Sequence, residues 1–123
     1  MMNTKLLGSF GEAQTAEYLR RKGCTILAMN YRTRFGEIDI IAADRRYIRF
    51  VEVKLRKNAR FAQAREFVTR AKQEKIVAAA QSWLQLRPTK LQPRFDVMEI
   101  YAPAGADVSR LEMNYIENAF ELM

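Results

Sequence analysis

Gly36-Glu37-Ile38-Asp39-Ile40-Ile41, followed a short turn later by Phe50-Val51-Glu52-Val53-Lys54, constrains the fold of this chain more than any other stretch. Both segments alternate charged with apolar residues, the period of a half-buried strand. Strand alternation places Glu37 and Asp39 on one face, and Glu52 and Lys54 on one face of the next strand. Ile38, Ile40, Val51 and Val53 then supply the opposite, apolar face. The connection Asp44-Arg45-Arg46 is short enough for an antiparallel hairpin. A two-residue loop at Arg45-Arg46 would pair Asp44 with Tyr47 and, counting back, Asp39 with Glu52 and Glu37 with Lys54. Directly opposed residues have β-carbons roughly 4.5–5.5 Å apart, close enough for two carboxylates to grip one cation. A loop starting one residue earlier would offset them.

The rest of the chain supplies helices for such a hairpin to pack against. Ser9 with Glu12 three residues later has the form of a capping box, Ala13, Ala16 and Leu19 continue an apolar stripe, and Gly23 suits a C-terminal cap. A first helix is expected over about 9–22. Cys24 to Met29 reads as a first strand, with the polar Asn30 to Arg34 after it. The second strand runs from after Gly36 to about Ala43, and the third from Arg46 or Tyr47 to Lys54. A basic irregular segment, 55–65, leads to a second helix over roughly 65–86 carrying Ile76, Ala79, Ala80 and Trp83 at helical spacing. Phe95 to Tyr101 and Leu111 to about Ile116 read as the last two strands. The expected architecture is one α/β domain over 1–123, in the order α-β-β-β-α-β-β, with no repeat or interdomain linker.

Composition narrows the chemistry. The 123 residues carry 21 Lys and Arg against 14 Asp and Glu, a formal charge of +7. Eight basic and two acidic residues fall between Lys54 and Lys75, so most of the excess follows directly on the acidic hairpin. A polyanion, nucleic acid first, is the partner such a surface favours; the bland alternative is a solvated basic face. There is no histidine and one cysteine, Cys24. Histidine-based triads, bases and metal sites are excluded, as is a structural zinc site. A metal would have to be a hard cation held by oxygens, Mg²⁺ or Mn²⁺. No apolar run approaches a membrane span, Leu6-Leu7 is too short for a signal-peptide core, and Cys24 has no partner for an internal disulfide. A cytoplasmic protein is the expectation.

Two readings of the hairpin stand side by side. It is either a surface ladder, Glu37 with Lys54 and Asp39 with a nearby arginine, each exposed pair worth little, or a metal site. Chemistry matched to charge favours the second. Phosphodiester hydrolysis needs an activated water and stabilisation of negative charge, which a carboxylate-held divalent ion provides. A nearby lysine can orient the water or neutralise charge, and a basic flank can hold the substrate.

Asp39 with Glu52-Val53-Lys54 resembles the D…(D/E)-x-K signature of the restriction-endonuclease-like nuclease fold. Phe10-Gly11-Glu12, Ala16 to Leu19, Asn30-x-Arg32, Gly36-Glu37-Ile38-Asp39, Phe50 to Lys54, Lys72, Phe95-Asp96-Val97 and Asn118-Ala119-Phe120 resemble the bacterial YraN-like (UPF0102) family, itself similar to archaeal Holliday-junction resolvases. The match runs in order over nearly the whole chain. The resemblance implies a mixed central sheet flanked by helices, and a Mg²⁺- or Mn²⁺-dependent endonuclease acting on branched DNA, ahead of RNA. It implies Asp39, Glu52 and the Val53 carbonyl as metal ligands, Lys54 as catalytic lysine and Glu12 as a further acid, with Glu37 a support. The capping box is the structural alternative for Glu12. Arg32, Arg34, Arg56, Lys57 and Arg60 are candidate phosphate contacts by charge and position, and Lys72 by its place on the second helix. Asp96 and Trp83 read as structural. Phe61-Ala62 departs from the family, which usually carries glycine after that phenylalanine. Alternatives to the enzyme are a nucleic-acid-binding module of the same fold without efficient catalysis, and an adaptor whose basic face meets an acidic protein. Resolvase-like proteins often work as dimers, so a homodimer is a further expectation.

Overall fold

The computed structural model describes residues 4–56, 68–101 and 111–121. The elements are α1 (Thr4–Arg21), β1 (Thr25–Arg32), β2 (Glu37–Ala43), β3 (Tyr47–Arg56), α2 (Arg70–Leu86), β4 (Gln92–Tyr101) and β5 (Glu112–Phe120). This is the expected α-β-β-β-α-β-β order. The strands form one sheet in the order β1-β2-β3-β4-β5, antiparallel throughout except for the parallel β3–β4 pair. That pair needs a long crossover, and α2 lies within it.

The two helices cover opposite faces. Ala16 and Leu19 of α1 pack with Cys24, Ile40, Ala42 and Val51, and Val53 lies against them. Ile76, Ala79, Ala80 and Trp83 of α2 pack with Ile41, Ile48, Phe50, Phe95, Val97 and Phe120. Trp83 is therefore core, as expected. Among the described residues no helix is long and apolar enough to cross a membrane.

Three local readings change. Helix α1 begins by Thr4 rather than at Ser9, so Ser9 and Glu12 lie inside it and form no capping box. Its other end is as expected: Gly23 has φ 91°, and Cys24 N–H donates to Leu19 O at 2.9 Å and Gly23 N–H to Arg20 O at 3.0 Å, a Schellman closure. Helix α2 starts at Arg70, because Thr69 caps it by accepting the Lys72 N–H. Strands β1, β4 and β5 each extend beyond the stretches expected, β1 running on through Asn30 to Arg32.

The hairpin register is the one predicted from a two-residue loop. Ile40 pairs with Val51, Ile41 with Phe50, Ala42 with Arg49 and Ala43 with Ile48. Asp44 N–H donates to Tyr47 O at 3.0 Å. The Asp44 carboxylate holds the turn, accepting Arg46 and Tyr47 N–H at 2.8 Å each and Arg49 Nη2 at 2.7 Å. The expected single apolar face is not kept. Ile38 packs on the α2 side whereas Ile40 packs on the α1 side. The backbone ladder between β2 and β3 ends at Ile40–Val51, and the strict alternation ends with it. Glu37 consequently pairs with Arg32, at 3.6 Å, rather than standing opposite Lys54 in the ladder.

Candidate metal and nucleic-acid site

The site occupies the place where β2 leaves β3. Continuing the ladder by one residue beyond Ile40–Val51 sets Asp39 against Glu52. Here side chains take over from backbone: Val53 N–H donates to Asp39 Oδ2 at 2.8 Å instead of to a strand carbonyl. In a strand, the N–H and C=O of one residue face the same neighbour. The Val53 carbonyl therefore lies on the edge that faces Asp39.

The Asp39 and Glu52 carboxyls are hydrogen-bonded to each other. Burial raises both, since neither can ionise fully without a counter-charge. For Glu52, burial comes first, then the Asp39 charge and the hydrogen bond with Asp39. Together they push its carboxyl up to about 8, against the opposing charges of Lys72 and Lys54. On Asp39 the Val53 N–H and the bond with Glu52 offset part of the burial effect. The pair thus favours keeping a proton between its two carboxyls over ionising both. Lys72 Nζ stands 3.8 Å from Glu52 Oε2, but Lys72 is half exposed while Glu52 is only 11 % exposed, so solvent weakens the one more than the other.

Glu12 is brought in from α1. Freed from any capping role, its carboxylate accepts a hydrogen bond from Asn30, and its pKa is raised by burial first and by the charge of Asp39 second. Asn30 went unassigned in the sequence. It stands opposite Asp39 on β1, between the pairs Met29–Ile40 and Tyr31–Ile38, and has φ 53°. A non-glycine residue in the left-handed region inside a strand is uncommon, and asparagine is among the residues that tolerate it best. That tolerance, together with its place in the Asn30-x-Arg32 motif, is what in the sequence points to it.

The remaining candidates divide. Lys54 is exposed and close enough for its charge to act on Glu52. Arg32 and Arg34 are exposed at the β1–β2 turn. Arg56 is only 13 % exposed and ion-pairs with Glu99 at 3.5 Å. Lys57, Arg60 and Phe61-Ala62 lie outside the described residues. Asp96 is fully buried and structural: it accepts Arg94 Nε at 2.9 Å, Tyr115 Oη at 2.5 Å and Asn118 N at 2.9 Å. Two open depressions of about 410 and 510 Å³ flank this network at the far end of the sheet, lined by Arg94 and Glu117 in both cases. Their buried charges already satisfy one another, so the carboxylate pair remains the site with chemistry to offer.

The donor set suits a hard divalent cation. All its atoms are oxygens, two carboxylates meet at one point, and the shared proton is what a cation would displace. Among the described residues no three acidic or thiol side chains are grouped to hold a metal unaided. Mg²⁺ does not require it, being held by one or two carboxylates with water and substrate completing the shell.

Fold and site together define a one-sheet α/β protein with two closely set, half-buried carboxyls at the point where its central hairpin parts. The sequence comparisons give the family. Residues 11–100 match the model of the uncharacterised protein family UPF0102. A UPF0102 protein of Caldicellulosiruptor saccharolyticus is 39 % identical over 120 residues, covering 97 % of this chain and 100 % of its own. One from Vibrio parahaemolyticus is 40 % identical over 121 residues, covering 97 % and 95 %, and one from Caldanaerobacter subterraneus is 42 % identical over 121, covering 97 % and 98 %. The chain belongs to UPF0102.

Proposed function

We propose that this protein is a Mg²⁺- or Mn²⁺-dependent endonuclease acting on branched DNA. The observation that carries the reading is the Asp39–Glu52 pair, two half-buried carboxyls set together where β2 leaves β3, with the Val53 N–H on Asp39. Two carboxyls held this close and partly buried cost stability when both ionise, and a bound cation would relieve that cost.

Asp39, Glu52 and the Val53 carbonyl would hold the ion. When bound, it supplies Lewis acidity at the scissile phosphate and lowers the pKa of the attacking water. Lys54, exposed beside Glu52, places an ammonium where negative charge grows on the phosphate. Lys72 at the start of α2 can hold a non-bridging oxygen of the same or the next phosphate. The Glu12 carboxylate, steadied by the Asn30 amide and raised by burial, is suited to accept a proton from the water. Arg32 and Arg34 extend the positive surface along the backbone of the substrate.

A nucleic-acid-binding module without catalysis is the second reading, favoured by the lack of a three-acid cluster among the described residues. Cleavage of four-way junction, flap and linear DNA, each with and without Mg²⁺ or Mn²⁺, separates the two. The nuclease reading expects metal-dependent cuts in the wild type and none in Asp39→Ala or Glu52→Ala. The binding reading expects salt-sensitive binding that survives Asp39→Ala, with no cleavage of any substrate. Equal cleavage by all three proteins would remove these residues from the chemistry.

A further inference from the structure

The β1–β2 turn, residues 33–36, carries Phe35 with 49 % of its surface exposed. Single exposed apolar residues are ordinary; the surroundings of this one are not. The Arg34 guanidinium lies over the ring, 4.9 Å from its centroid. Thr33 ties the turn: its N–H donates to Gly36 O at 2.8 Å, and its hydroxyl accepts Phe35 N–H at 3.0 Å and Gly36 N–H at 3.1 Å. Gly36 in turn packs directly on α2, where a Cβ would come within 2.8 Å of the Lys75 carbonyl oxygen. The tied turn thus holds the ring half exposed, with the Arg34 guanidinium over it. Exposed Arg32, Arg34, Lys72 and Lys75 lie on the two elements that meet there.

From this placement we infer that Phe35 is a stacking platform for an unpaired nucleobase, with Arg34 backing the ring and the basic side chains holding the flanking phosphates. The inference rests on the nucleic-acid reading above and narrows its substrate to strands with unpaired bases. A polyanion that also presents flat π-faces matches both the charge and the ring, and aromatic stacking on bases tolerates any sequence. Phe35 lies four positions before Asp39, a span of at most about 13 Å at strand rise. That is about four nucleotides of a B-form strand, so a base held at the turn would leave a nearby phosphate at the carboxylate pair. A continuous duplex keeps its bases stacked on one another and, away from its two ends, offers the ring nothing to engage.

The test uses the full chain without divalent metal, at low salt, and two probes: a fluorescein-labelled oligothymidine and a blunt duplex of equal length. A third probe with a single 2-aminopurine reports stacking by its quenching. Phe35→Ala is expected to weaken single-strand binding about 10-fold, within the range that base–aromatic stacking supports. It should leave duplex binding unchanged and abolish the quenching, while Phe35→Trp restores both affinity and quenching. Phe35→Leu, which keeps apolar volume without a π-face, should behave as the alanine variant, and thermal melts of each establish that the fold is retained. Single-strand binding unaltered in Phe35→Ala, or lost equally for single strand and duplex, overturns the stacking site while the nucleic-acid reading stands. Failure of the wild type to bind either DNA overturns both.

Discussion

Replacing Glu52 by glutamine gives a quantitative handle on the carboxylate pair that needs no substrate. Glutamine keeps the size of the protonated acid and can still donate to Asp39, but it cannot ionise. In the folded wild type the Glu52 carboxyl lies near 8, against an ordinary glutamate value of 4.5. The native state therefore holds a proton that the unfolded chain releases, and stability must fall as pH rises from about 4.5 to 8. At 1.36 kcal/mol per pH unit the gap sets a ceiling of about 5 kcal/mol. Water entering the site when Glu52 ionises, and the loss of its pairing with Lys72, reduce what glutamine recovers, and a gain of about 2 kcal/mol at pH 8.5 is expected. At pH 4.5 the two proteins should be equally stable. Asp44 does not interfere. Against the pull of burial, the Tyr47 and Arg46 N–H groups and Arg49 hold it at about 2, so its contribution is lost only as pH falls below the ordinary value of 3.8. Urea denaturation in chelator at both pH values reads the difference. Parallel pH profiles for wild type and Glu52→Gln would refute the shared proton.

Other outcomes follow from the same geometry. Mn²⁺ should raise the melting temperature of the wild type more at pH 8 than at pH 5, because the ion must displace the proton. At 100 times Kd the gain is about 2.7 kcal/mol, and Asp39→Asn should abolish it. Lys72→Ala should weaken DNA binding and lower the slope of log affinity against log salt by about one, measured by fluorescence polarisation. Asp44→Ala should cost about 3 kcal/mol in thermal unfolding, since it leaves Arg49 short of its closest partner and frees two turn N–H groups.

What could be read from residues alone was the local pattern. The two-residue loop at Arg45-Arg46 followed from hairpin arithmetic, and the Asp44 carboxylate that fixes it is a side chain reaching its own turn. The register that sets Asp39 beside Glu52 came with it. Glu12 shows the opposite case. A serine three residues before a glutamate has the same spacing at a helix start and inside a helix, so only the position of Thr4 in α1 decides between them. The strand period predicted that Ile38 and Ile40 share a face. It could not foresee that the Asp39 carboxylate takes the Val53 N–H where the ladder ends. The Asn30 backbone and the burial of Arg49, Arg94 and Tyr115 around Asp96 depend on contacts distant in sequence, which spacing does not encode.

The central claim is that Asp39, Glu52 and the Val53 carbonyl hold a divalent cation. The most direct measurement is anomalous scattering from crystals soaked in Mn²⁺ near pH 8. The account predicts a peak within coordination distance of both carboxylates and of the Val53 oxygen, absent from Asp39→Asn crystals treated alike. No peak at the wild-type pair under saturating Mn²⁺, or one held only by other residues, would contradict it.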